Sequence, residues 1–220
     1  MRFDLRTLPV RAQAEGLDDH RRLTESLIVE LSARETAKTD ETIQNGGLTP
    51  DDPEWQMELG DLRYAVEHRI PQFLRGPHLL MAWAAYEASV TEIAEHASGL
   101  FRADPPPLAL CDLGGDFLSK ARKYYHRVLG LDLIDSEASW HKITILKDLR
   151  NVLVHANGRT DRISSPLLKK LEGWEGIGVT TQYDHLTVSE ELTRSISNAV
   201  VSELRALVDR FYEREASVSP

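Results

Sequence analysis

The stretch "ILKDLRNVLVHANGR", residues 145–159, decides how this chain is read. Its apolar positions recur at helical spacing, and Asn157-Gly158 closes it with two residues that tolerate the left-handed backbone and so stop a helix. At about 100° per residue, Ile145, Leu146, Leu149, Val152, Leu153 and Ala156 gather on one side as a core stripe. Arg150, Asn151 and His155 fall on the opposite arc, with Asn151 and His155 one turn apart. Lys147 shares that arc, as do Trp140, Ile143 and Val154, which make a second and sparser apolar row. Such an arc has two explanations. A central helix can be buried on both sides, with Arg150 and Asn151 bonded to loops. Alternatively the arc is a contact surface for another part of the chain or for a second copy of it, and a twofold axis would bring two copies of the trio together.

Helical period continues on both sides of this stretch. The helix that holds it begins after an Asp135-Ser136 cap, and a helix over 115–129 precedes it, with Phe117, Ala121, Tyr124, Tyr125 and Val128 inward. Upstream of a loop that starts at Pro105-Pro106-Pro107, the spacing predicts a helix over 78–101. Its inward positions are Leu79, Trp83, Tyr86, Val90, Ile93, Ala97 and Leu100, and its many alanines admit a close neighbour. Pro71 and Gly76-Pro77 predict a break before it, and "TPDDPEW" (49–55) predicts an earlier helix from about Asp52 to Ile70. Residues 17–44 predict an amphipathic helix around Leu23, Leu27, Ile28 and Leu31, ended by Asn45-Gly46-Gly47, with residues 1–16 extended or irregular. Downstream come a short helix after Ser165-Pro166, a hairpin over 176–188 turning at Tyr183-Asp184-His185, and a long helix from Ser189 to about Tyr212. The expected fold is therefore all-α: an up-down helical bundle of about six to seven helices with a small β-hairpin insertion near 177–188. Residues 1–48 are expected to be a helical extension packed on a main domain of residues 49–220.

Composition narrows the function classes. No apolar run is long enough to span a bilayer, and "MRFDLRTLPV" does not read as a secretory leader, so the expectation is no membrane association. A single cysteine, Cys111, has no internal partner; the expected compartment is the cytoplasm and the expected setting of that thiol is buried or half-buried. Net charge is −9, yet residues 119–170 carry 11 Lys/Arg against 5 Asp/Glu. Basic charge thus concentrates around the opening stretch, although a solvated helix face has the same composition. The histidines show no HxH or HExxH spacing and no pairing with cysteine, which argues against a metal. GxxxxGK[ST], GxGxxG after a strand and GxSxG are all absent, so nucleotide hydrolysis, dehydrogenase and esterase chemistry have no support and no cofactor is expected.

Arg150-Asn151-x-x-x-His155 at the end of a helix, in a chain of this order, resembles the HEPN superfamily (higher eukaryotes and prokaryotes nucleotide-binding). "AAYEASVTEIA" (84–94), "LRNVLVHANG" and the hairpin before a long closing helix strengthen the likeness, which covers about residues 50–212. The resemblance implies a HEPN-like domain over 49–220 and a homodimeric, metal-independent endoribonuclease of toxin–antitoxin or antiviral-defence type, with an antitoxin or defence protein as partner. It implies that Arg150, Asn151 and His155 are catalytic. RNA brings its own nucleophile, the ribose 2′-OH, and histidine side chains ordinarily titrate near pH ~6.5, so an imidazole can move the protons while a guanidinium steadies phosphorane charge. Products would be a 2′,3′-cyclic phosphate and a 5′-hydroxyl. The alternative is a non-catalytic HEPN-like dimer that binds nucleotide, RNA or a protein. Family toxins whose partners modify a tyrosine carry it two residues after the histidine; here Asn157 stands there, which puts that mode of control in doubt. Lys147 and Arg159 are expected substrate-binding cations, Glu87 a partner for Arg150 if their helices pack, and Tyr124-Tyr125-His126-Arg127 either core or a stacking surface.

Overall fold

Helices prove longer than the sequence punctuation predicts. In a computed structural model that describes residues 7–99, 108–134, 136–180 and 184–218, seven α-helices and one two-stranded hairpin are seen. They are α1 (Leu8–Gly46), α2 (Pro53–Tyr64), α3 (Ile70–Ser98), α4 (Phe117–Tyr124), α5 (Glu137–Ala156), α6 (Ser165–Glu172), β1 (Ile177–Thr180), β2 (His185–Val188) and α7 (Glu190–Val218). The all-α class with a small hairpin near 177–188 is as read from the sequence. Leu100, the Pro105-Pro106-Pro107 loop, Asp135 and Tyr183 lie outside the described residues.

Two local expectations are corrected. Residues 8–16 are helical, not extended: Val10, Ala14 and Leu17, spaced by four and three, are buried, so the apolar stripe of α1 starts well before Leu23. Leu23 itself is 58% exposed, and the inward place beside it belongs to Thr24, which is 4% exposed. Nor do the prolines break the chain. Between α2 and α3 a π-helical turn, Ala65–Arg69, lets Ile70 N–H bond the Ala65 carbonyl, and Pro71 follows directly inside α3. A π-turn shifts the hydrogen-bond register by one, which absorbs the donor that a proline lacks and relieves the ring's clash with the preceding turn. Pro77 is likewise inside α3.

The chain forms two compact units, and α1, α3, α5 and α7 each pass from one to the other. The first comprises residues 1–19, 81–150 and 195–220. Its core is built from Trp83, Tyr86, Val90 and Ile93 of α3, Leu118 and Ala121 of α4, Ile145, Leu146 and Leu149 of α5, and Ile196, Val200, Leu204, Leu207, Val208 and Phe211 of α7, all buried. Three polar side chains bridge elements there: Tyr125 Oη donates to the Val90 carbonyl at 2.6 Å, Ser89 Oγ to Gln13 Oε1 at 2.6 Å, and Arg210 Nη2 to the Leu133 carbonyl at 3.0 Å. Tyr124 and Tyr125 are thus core residues, not a stacking surface. Cys111, expected at least half-buried, is exposed, because in its 3₁₀ turn Leu110 takes the inward place.

The second unit comprises residues 20–80 and 151–194. Arg75 of α3 joins three elements in it. Its Nε and Nη2 donate to the two carboxylate oxygens of Glu25 on α1, at 2.9 and 2.8 Å, while Nη1 donates to the Val188 carbonyl at the end of β2, at 3.2 Å. A fork of this kind is selective for a planar carboxylate and both side chains are largely covered, so it fixes α1 against α3. Residues 1–48 therefore contribute to both units.

Candidate functional site

Helix α5 starts at a serine cap. Ser139 N–H bonds Ser136 Oγ at 3.4 Å and Trp140 N–H the Ser136 carbonyl at 2.9 Å, while Glu137 places a carboxylate in the first turn, where the helix dipole favours it. Its far end is set by Asn157 (φ 51°) and Gly158 (φ 76°), both left-handed. Gly158 N–H reaches back to the Val152 carbonyl at 3.3 Å, and the chain then runs beside the hairpin: Leu186 N–H bonds the Gly158 carbonyl at 2.8 Å and Thr160 N–H the Asp184 carbonyl at 2.7 Å. A Cβ at Gly158 would lie 2.8 Å from Gln72 Nε2 of α3, the end of a flexible side chain that can swing aside, so the left-handed backbone is what asks for glycine. The Asn-Gly pair thus ends the motif helix and docks the hairpin and α3 against that end.

Placement of the trio follows from helix geometry on this one uninterrupted helix. Ile145, Leu146, Leu149, Val152 and Ala156 are buried and Leu153 is half-buried, as the core stripe requires. Arg150 and Asn151 are half-buried and neither lacks a partner; His155, one turn beyond Asn151 at the helix end, is exposed, with exposed Val154 beside it. The second apolar row divides. Ile143 is fully buried within this chain and Trp140 is half-buried, so only Val154 is left facing solvent.

The two flanking cations are engaged. Lys147 Nζ lies 3.6 Å from Asp116, whose carboxylate also caps α4 by accepting from Ser119 N–H and Oγ; those Ser119 bonds, then Lys147, hold Asp116 below the usual carboxylate range. Arg159 forms a two-pronged bond to Asp161, at 2.9 and 2.7 Å, on the surface. Glu87, considered as a partner for Arg150, accepts from Trp83 Nε1 at 2.9 Å. A pocket of about 310 Å3 adjoins the motif's end in the second unit; Leu153, Asn157 and His185 line it together with Gln72 and the strongly exposed Phe73 of α3. Sequence spacing does not foresee that pocket, since the α3 residues that line it flank prolines read as a break. Among the described residues, no three His, Cys, Asp or Glu side chains are grouped to share a metal ion, and no helix is long and apolar enough to cross a membrane. No family model matches the chain, and neither a curated protein nor a solved structure is detectably similar to it.

Proposed function

We propose that the chain is a HEPN-type endoribonuclease that cuts RNA without a metal, as a homodimer serving toxin–antitoxin or antiviral defence. The observation that carries this reading is an imidazole, an amide and a guanidinium on one helix, with the imidazole of His155 open to solvent at its C-terminal end. In the reaction His155 takes the proton of the ribose 2′-OH or supplies one to the departing 5′-oxygen. The 2′-oxygen bonds to phosphorus as the P–O5′ bond breaks, leaving a 2′,3′-cyclic phosphate and a 5′-hydroxyl. Arg150 spans two non-bridging oxygens and opposes the growing charge, and Asn151, one turn below, orients the imidazole. A second copy of the chain, meeting the first near the exposed Val154, would set two such trios face to face.

Incubating the purified chain with RNA in EDTA and mapping the ends tests this. Cyclic-phosphate and 5′-hydroxyl ends are the expected result; intact RNA sinks the proposal. His155→Ala is expected to slow cleavage by about 10²–10⁴-fold, the usual worth of a general acid or base, with the helical circular dichroism unchanged. One observation favours the rival, a binding module without chemistry: Lys147 and Arg159, the cations expected to hold phosphate, are each paired with a carboxylate of the chain itself. On that reading His155→Ala leaves every activity of the chain as it was.

A further inference from the structure

Helix α4 and the π-turn that continues it, Tyr125–Leu129, carry Lys120, Arg122, Lys123, His126 and Arg127 and no acid, in a chain of net charge −9. Arg122, Lys123, His126 and Arg127 are all exposed. They line a groove in the first unit together with Leu133, Ile134 and the half-buried Trp140 at the start of α5. Two neighbouring hollows, of about 320 and 410 Å3, share Arg122, Ile134 and Trp140 in their linings. The Arg122 guanidinium carbon lies 4.8 Å from the centre of the Trp140 ring. Two acids among the described residues also border it, Asp132 3.6 Å from His126 and Glu137 3.9 Å from His141, each an ion pair only where its histidine is protonated. Among the described residues no ion pair is seen for Arg122, Lys123 or Arg127.

We infer that this groove binds single-stranded RNA, with Arg122, Lys123 and Arg127 on successive phosphates and an unstacked base lying on the Arg122–Trp140 layer. Cations alone would take any polyanion. A guanidinium held over an indole adds a flat, polarised platform, which is what an unpaired base seeks and a bare phosphate does not. A duplex keeps its bases stacked on each other, so it has nothing to lay on that platform. Three exposed cations along one helical run, Arg122, Lys123 and Arg127, offer more phosphate contacts than one nucleotide can use, which favours a strand over a mononucleotide. This inference shares with the proposed function the assumption that RNA is the ligand, but it does not depend on cleavage.

The test is fluorescence anisotropy with a short labelled single-stranded oligoribonucleotide and the full chain carrying His155→Ala, so that cleavage cannot intervene. Each lost phosphate contact is expected to lower the steepness of log affinity against log salt by about 0.7. The combined change Arg122→Gln, Lys123→Gln, Arg127→Gln, all at exposed positions that leave the core untouched, should flatten that plot and weaken binding by at least about tenfold at low salt. Trp140→Ala should weaken binding by about tenfold at unchanged salt dependence, and Trp140→Phe should restore most of it, which a merely unfolded variant would not do. Unchanged affinity and slope in the triple variant overturn the groove. So does adenosine monophosphate competing as well as the oligonucleotide, which would mark a mononucleotide site. A chain that binds through these residues yet never cuts RNA defeats the nuclease and leaves the groove standing.

Discussion

His78 shows how one residue ties acid sensitivity to the fold. It is fully buried in α3, its ring stacked on that of His20 from α1 with centroids 5.3 Å apart, and the two Nδ1 atoms lie 3.0 Å apart. One Nδ1 must donate and the other accept, so the pair wants complementary tautomers. Burial first, then the neighbouring His20 and Arg21, press His78 down from 6.5 to about 4, while Glu25 opposes them. The folded chain therefore holds this proton more weakly than the unfolded one. Its contribution to stability is complete above pH ~6.5 and is lost as pH falls from there towards about 4. Denaturant midpoints measured across that window should fall by an amount equivalent to about 1 kcal/mol per pH unit from this group, and His78→Gln should remove that share of the slope. Equal slopes in the two chains would refute the assignment. Tyr86 offers the opposite case. Its hydroxyl is buried and bonded to nothing among the described residues, and burial together with the Glu203 carboxylate pushes its ionisation far up. Tyr86→Phe removes a desolvated polar group without leaving a hole, so melting temperature should hold or rise by the equivalent of about 1 kcal/mol; a clear fall would reveal a bound water in that place.

Among elements, the junction of α5 with the hairpin is where backbone demand is sharpest. Gly158→Ala puts a side chain at φ 76° and against Gln72, so it should destabilise the chain by about 1–3 kcal/mol and loosen the hairpin, read as faster amide exchange at Leu186 and Thr160. Exchange at its native rate would deny the junction its role. Most of the element order was legible because burial imposes its period on α5 and α7, where Ile196, Val200, Leu204, Leu207, Val208 and Phe211 all lie inward as read. What was not legible lies in exceptions to local rules. Pro71 and Pro77 read as stops, yet both lie inside α3; the π-turn just before Pro71 leaves no mark in composition, and Pro77 is carried by the α-helix itself. The motif arc was visible, yet the engagement of Lys147 was not: its partner Asp116 is far away in sequence, brought near only by tertiary packing. Arg159, by contrast, had its acid two places along in "RTD", a signal that was there to be used. The Arg122–Trp140 layer again joins distant residues, and only the acid-free run of α4 hinted at it.

For the whole molecule the open matter is what α1 does. As a mere extension, its removal should leave residues 49–220 folded. The packing argues otherwise. In the first unit α1 supplies Val10, Ala14 and Leu17, all buried, and Gln13, which accepts from Ser89; in the second it supplies buried Ile28 and the Glu25 carboxylate held by Arg75. Uncovering a valine, a leucine and an isoleucine forfeits about 1.5–3 kcal/mol apiece, and Arg75 is left half-enclosed without its carboxylate. That total approaches the whole stability of an ordinary domain, about 5–15 kcal/mol. Neither unit is a continuous stretch of chain, so no single cut frees one of them intact. A fragment of residues 49–220 is accordingly expected to aggregate or to melt without cooperativity, while the full chain gives a sharp transition by circular dichroism. Supplying residues 1–48 as a separate peptide should recover part of that transition, since the lost contacts are side-chain packing and not chain connectivity. If the fragment alone melts as sharply as the parent, α1 is dispensable, and the buried residues it contributes hold less of the fold than their burial implies.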